Sequence, residues 1–186
     1  MKFLKLFLII FISLSSSVKA DFNEKLFKQL NDGGKLIFIR HAYAPGSGDP
    51  NNFNLNDCST QRNLSEEGRK QAEYIGEFFS DNEINIDKVL SSEWCRCKDT
   101  AKIAFKNFET FNALNSFYDE KFASNEDMQI KNLKKYIKSW ESDKNLILVT
   151  HFVVISSILN IGTSSGEMII SDKNYNIIDN KIFNDF

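Results

Sequence analysis

Only two histidines occur in the 186 residues, and each closes a short apolar run. Lys35-Leu-Ile-Phe-Ile39 leads into Arg40-His41, and Leu146-Ile-Leu-Val-Thr150 leads into His151. Runs of this length bounded by polar residues read as buried strands, and parallel α/β sheets bind ligands beyond the carboxyl ends of their strands. Both imidazoles can therefore serve one pocket. Arg40 stands beside His41, and Arg96 falls in the first turn of a helix predicted after another strand end. The planar, permanently charged guanidinium matches phosphate oxygens two at a time. Two arginines and two histidines at strand ends predict a phosphate site, aided by helix starts near Glu93 and Phe152. A single histidine would read as a hydrogen-bonded structural residue; the matched positions of the pair argue otherwise.

Strands and helices alternate along the chain, as such a site requires. Leu26, Phe27 and Leu30 share a helical face, stopped by Asp32-Gly33-Gly34. From Ala44 to Arg62 the composition turns to Pro, Gly, Ser, Asp and Asn, predicting a long loop of the functional kind that leaves the strand end carrying His41. Ser65 caps a helix with Glu66 and Glu67 in its first turn and Ala72, Ile75 and Phe79 inside. A strand at Asp87–Leu90, a helix from about Glu93 to Asn107 and a strand at Phe111–Leu114 follow. An irregular acidic stretch, Asn115–Asn125, precedes an amphipathic helix at Asp127–Trp140 with Ile130, Leu133 and Ile137 on one face. The His151 strand, a helix at Val153–Leu159 and a hairpin of Gly166–Ile170 with Tyr175–Ile178 complete the list. The pattern predicts a three-layer α/β/α sandwich with a parallel-dominated mixed sheet, one domain from residue 21 onward.

The first twenty residues carry Lys2 and Lys5, an apolar stretch from Leu6 to Ile12 and the ending Val18-Lys19-Ala20. This is the pattern of a cleaved secretory signal peptide, too short in its apolar part to span a bilayer. The expectation is export, to a periplasm where the host has one, without lasting membrane insertion. Three of the 23 basic residues and none of the 25 acidic ones lie there, so the remainder has 20 basic against 25 acidic side chains. No basic stripe invites nucleic acid, while a few arginines can still dominate the field inside a pocket. Cys58, Cys95 and Cys97 are too few for a disulfide scaffold, but export permits one bridge, from Cys58 to Cys95 or Cys97. Oligomeric state is not legible.

Arg40-His41-Ala42 after a buried strand, Leu64-Ser65-Glu66-Glu67-Gly68, Ser91-Ser92-Glu-Trp-Cys-Arg96 and Val149-Thr150-His151, in this order and on these elements, together resemble the histidine phosphatase superfamily of phosphoglycerate mutase-like, branch 1 type. The resemblance implies that His41 attacks phosphorus to give a phosphohistidine, splitting one hard displacement into two. It implies that Arg40, Arg96 and His151 hold the phosphoryl oxygens, with no metal or cofactor. Arg62 could add a contact, or be a solvated loop arginine. The pattern departs at the general acid: where the family often has glutamate, Leu114-Asn115-Ser116 offers serine. Asp119 and Glu120 are the candidates, Glu120 slightly favoured. Glu167 reads as structural.

The leading expectation is an exported metal-independent phosphatase acting on small phosphomonoesters, phosphosugars among them. A mutase would need a phosphorylated donor that is scarce outside the cytoplasm, and a protein phosphohistidine phosphatase would need cytosolic substrates. The alternative is a non-catalytic module binding phosphate or a phosphoglycan. A hydrolase holding a metal on His41, His151 and a carboxylate is opposed by the charge of Arg40 and Arg96.

Overall fold

The computed structural model describes residues 26–183; the proposed signal peptide lies outside them. Six strands form one mixed sheet: β1 (Leu36–Arg40), β2 (Ile86–Ser91), β3 (Glu109–Thr110), β4 (Asn145–Thr150), β5 (Met168–Ser171) and β6 (Ile177–Lys181). Their spatial order is β3-β2-β4-β1-β5-β6. β1, β2, β3 and β4 run parallel, and β5 and β6 pair antiparallel at one side. The helices are α1 (residues 26–31 of it described), α2 (Glu66–Asp81), α3 (Cys95–Phe105), the short α4 (Glu120–Ala123), α5 (Glu126–Ser139) and α6 (Phe152–Leu159). None of the described helices is long and apolar enough to cross a membrane.

Alternation along the strands assigns each helix to a face. Leu36, Phe38, Leu146 and Leu148 pack with Leu133 and Ile137 of α5 and Val154 and Ile155 of α6. Their neighbours Ile37, Ile39, Ile147 and Val149 pack with Leu26 and Leu30 of α1, Ile75 and Phe79 of α2 and Ala101 of α3. Every residue of β4 is buried, as a central strand covered on both faces must be. This is the three-layer sandwich the sequence predicts.

α2 begins as expected: Ser65 accepts the Gly68 N–H at 3.2 Å, and Glu66 and Glu67 occupy the first turn. Gly68 is required here, because a Cβ would lie 1.9 Å from the Tyr43 carbonyl oxygen. The helix thus rests directly on the backbone just beyond His41. The strand predicted at Phe111–Leu114 is a correction. β3 is only Glu109–Thr110, and Asn112–Leu114 is a 3₁₀ turn. The Phe111 N–H still bonds to Ser91, but the chain then curls to bury Ala113 and Leu114, held by Thr150 Oγ1 donating to the Leu114 carbonyl at 2.7 Å. Helix α3 also starts two residues later than expected, because the Ser92-Glu93-Trp94 segment is tied into the site.

The long loop is stapled. Cys58 and Cys95 form a disulfide, with Cα atoms 5.7 Å apart, while Cys97 is free and buried. The bridge joins the loop to the first residue of the helix carrying Arg96. For a cross-link spanning 37 residues, the chain-entropy model gives about 3–4 kcal/mol. A Cys58→Ser/Cys95→Ser variant is expected to unfold at correspondingly lower urea, read by equilibrium denaturation beside the oxidised wild type.

Candidate active site

Strand register brings the two histidines together. Arg40 of β1 pairs with Thr150 of β4, and Ser91 of β2 with Val149 of β4. The residues just past these ends are His41, His151 and Ser92. The His41 N–H bonds to the Thr150 carbonyl and that of Ser92 to Val149, both at 2.9 Å. The imidazole rings are 5.5 Å apart between centroids and inclined at 66°. Both are almost fully buried, and both line a cavity of about 270 Å³.

His41 is oriented by its own backbone. Its Nδ1 lies 2.8 Å from the Ala42 carbonyl oxygen; a carbonyl only accepts, so Nδ1 carries the proton and Nε2 keeps its lone pair. Burial first, then the nearby Arg96 charge, holds its pKa well below the usual histidine range. The ring is therefore neutral and able to attack at neutral pH. His151 is held down likewise by burial and then Arg96. For stability the sign follows directly. The unfolded chain binds these protons below about pH 6.5 and the native state does not, so this contribution is present above that pH and lost as pH falls through the native values. The urea midpoint should fall between about pH 7 and 5, and fall less in His151→Asn.

Three guanidinium groups surround the cavity. Arg40 donates from Nη1 to the Thr163 carbonyl, and its Nε is buried without a protein partner. Arg62 donates from Nε to the Gly48 carbonyl at 2.8 Å and from Nη1 to that of Ala44, so it clasps the loop it belongs to. Arg96 is 3% exposed and pairs through Nη1 with Asp49 at 2.8 Å, leaving its Nε buried and unpartnered. Unpaired buried donors are costly in isolation. Two of them beside one cavity suit an oxyanion.

Asp49 is the residue that sequence reasoning missed. Its Oδ1 accepts from Arg96 Nη1 and from the Arg62 N–H at 3.0 Å, and its Oδ2 from the Trp94 indole at 3.0 Å. Burial opposes its charge, but these bonds and Arg96 prevail and keep its pKa below the usual carboxylate value. It is an ionised clamp holding the loop to α3. An aromatic cluster does the same nearby: Phe53 stacks on Trp94 at 5.1 Å, and Phe122 meets both edge-on. The adjacency of Trp94, Cys95 and Arg96 was visible in the sequence, but no local spacing links them to Asp49.

Arg40, His41, Arg62, Arg96 and His151 thus share one cavity, and Asp119 lines it too. Glu120, the slightly favoured carboxylate, opens α4 and is not among the lining residues. Tyr118, Asp119 and Ser116 form the outer wall, with Tyr118 joined through its hydroxyl to Ser47 at 3.1 Å. Glu167 takes a structural place: it is buried, accepting the Ser164 N–H and the Asn180 amide. A larger groove, about 560 Å³, lies between α2, α3 and β2, and neither histidine nor arginine lines it.

Comparison with known proteins agrees with the fold described above. Residues 36–117 match the model described as histidine phosphatase superfamily (branch 1). The solved structure of the protein histidine phosphatase SixA complexed with tungstate is 12% identical, with a TM-score of 0.54 over 78% of this chain and 95% of that one. Phosphoglycerate mutase from Thermus thermophilus is 13% identical, with a TM-score of 0.58 over 81% of this chain and 99% of that one. A mycobacterial glucosyl-3-phosphoglycerate phosphatase in complex with VO3 is 16% identical, with a TM-score of 0.53 over 74% and 92%. At these identities the likeness establishes the fold. No curated protein sequence matches.

Proposed function

Starting from a chain whose residues 36–117 are a histidine phosphatase superfamily (branch 1) segment, we propose that this protein is a metal-independent phosphatase hydrolysing small phosphomonoesters through a phosphohistidine on His41. The observation that carries this is a neutral, buried imidazole with an unprotonated Nε2, lining the same cavity as Arg40 and Arg96, each of which keeps an Nε–H without a protein partner. His41 attacks phosphorus, the ester oxygen departs, and water then releases phosphate from the imidazole. Arg40, Arg62 and Arg96 offset the charge spread over the phosphoryl oxygens, the larger part of catalysis in such transfers. Quenching the protein in alkaline detergent after mixing with a ³²P-labelled aryl phosphate in excess chelator is expected to trap a phosphoenzyme that survives alkali and loses its label in acid. Binding without label would favour the phosphate-binding module, and label only after adding a divalent metal would favour the metal hydrolase.

Asp119 is the proposed proton donor to the leaving oxygen, since it lines the cavity and Glu120 does not. Asp119→Asn should lower kcat for alkyl phosphates by about 10²-fold and spare aryl phosphates, whose leaving groups need little protonation. Glu120→Gln should change neither. Equal effects of the two variants would remove the assignment.

Phosphosugars are the favoured substrate class within this reading. A cavity of about 270 Å³ with Ser47, Ser116 and Asp119 in its wall and the half-exposed rings of Tyr118 and Phe152 beside it suits a compact polyol better than an extended chain. Export is supported by the leader-like first twenty residues and by the Cys58–Cys95 bridge, which belongs to an oxidising compartment.

A further inference from the structure

A hydrogen-bond relay decides which nitrogen of His151 carries its proton. Asn115 Oδ1 accepts the Glu93 N–H at 2.8 Å while Asn115 Nδ2 donates to the Glu93 carboxylate at 2.6 Å. That pair fixes the amide's orientation, so the Ser92 hydroxyl, 3.1 Å away, must donate to Oδ1. The Trp94 N–H takes a Ser92 lone pair at 3.2 Å. With its one hydrogen given to Asn115, Ser92 Oγ meets His151 Nε2, 2.9 Å away, as an acceptor, which puts the hydrogen on the imidazole. Cys97 is the weaker neighbour of the same nitrogen: its sulfur lies 3.4 Å from Nε2 and 3.6 Å from the Thr150 carbonyl, so its one hydrogen can serve either and leaves the tautomer to Ser92. Burial pushes the Cys97 pKa up to about 12, which keeps it a thiol.

We propose that Ser92 and Asn115 are positioning residues that lock His151 as the Nε2–H tautomer, so that the ring receives a phosphoryl group only by taking a second proton at Nδ1. In the neutral ring Nδ1 offers a lone pair, which repels an anionic oxygen; protonated, the same atom becomes a charged donor. Without an anion, burial and the charges of Arg96, Arg62 and Arg40 keep the ring neutral. The charged groups around the cavity are those three arginines, Asp49 and the proposed proton donor Asp119. A dianionic phosphoryl group brought beside His151 favours the charged form of the ring, so binding carries a proton onto it. His41 is the other ring facing the anion; its bare Nε2 is the nucleophile and must stay unprotonated.

This proposal rests on the phosphatase reading of the cavity, and tungstate, a dianion without a proton of its own at neutral pH, separates the two. Isothermal titration of the full-length protein with tungstate, in two buffers of different ionisation enthalpy at one neutral pH, counts protons taken up per anion bound. The expected result is about one proton for wild type and for His41→Asn, and none for His151→Asn. Ser92→Ala frees the ring to present Nδ1–H while neutral, so it should still bind tungstate but with less than about half the proton uptake, and Ser92→Thr should restore it. Tungstate binding by wild type without proton uptake, or uptake that persists in His151→Asn, would overturn this assignment alone. Failure of wild type to bind tungstate would overturn the phosphoryl reading and this proposal with it.

Discussion

Replacing His41 by Asn is expected to abolish turnover, with a loss of at least about 10⁴-fold in kcat and no trapped phosphoenzyme. The magnitude follows from the absence of a substitute within the cavity. The Nε2–H of His151 is committed to Ser92 and its Nδ1 takes a proton when the anion binds, and the buried Cys97 thiol, its pKa pushed up to about 12, supplies no thiolate. Direct attack by water would have to proceed without the covalent step that divides the displacement in two. Folding should survive, since the bond from Nδ1 to the Ala42 carbonyl can be remade by the Asn amide. Phosphate release from an aryl phosphate, with circular dichroism as a control, reads the result. A folded variant within about tenfold of wild type would mean that the chemistry runs through another group.

Arg96→Ala should harm both activity and stability. The guanidinium is nearly fully buried and holds Asp49, whose side chain is 1% exposed, at 2.8 Å. Removing it strands a buried carboxylate, a defect costing about 3–5 kcal/mol, and removes one of the charges offered to the phosphoryl group, worth about 10²–10³ in kcat/KM. The two losses are separable. Adding Asp49→Asn to Arg96→Ala should recover part of the stability, because the stranded charge is gone, and none of the activity. Urea denaturation and steady-state kinetics on the single and double variants measure this. Recovery of activity in the double variant would show that Arg96 acts mainly by neutralising Asp49.

The sheet and the histidine pair were legible because their signals are local. An apolar run ending in Arg40-His41 and another ending in His151 give both the strand and the side that carries the site, and the alternation in Leu36–Ile39 sorts the two cores. Arg62 and Asp119 could be named as candidates, but their approach to the cavity depends on how two loops lie. Asp49 and the Glu93–Asn115–Ser92 relay were hidden for the same reason. Asp49 is 47 residues from Arg96, and Asn115 is 23 from Ser92, distances at which no periodicity speaks. At Phe111–Leu114 the failure was different. Only Phe111 there favours a strand; Asn112 and Ala113 do not, and burial of Leu114 beside Thr150 curls the chain into a 3₁₀ turn.

Three thiols permit three single pairings, and the native one leaves out the cysteine nearest in sequence to Cys95. Cys97 sits sealed beneath the sheet against Thr150 and His151, where an oxidant finds no approach. Once the parallel strands and α3 enclose Cys97, Cys58 meets a single available mate. A chain oxidised while still open would be exposed to scrambling between neighbours, so its yield of native molecules should depend on when oxidation begins.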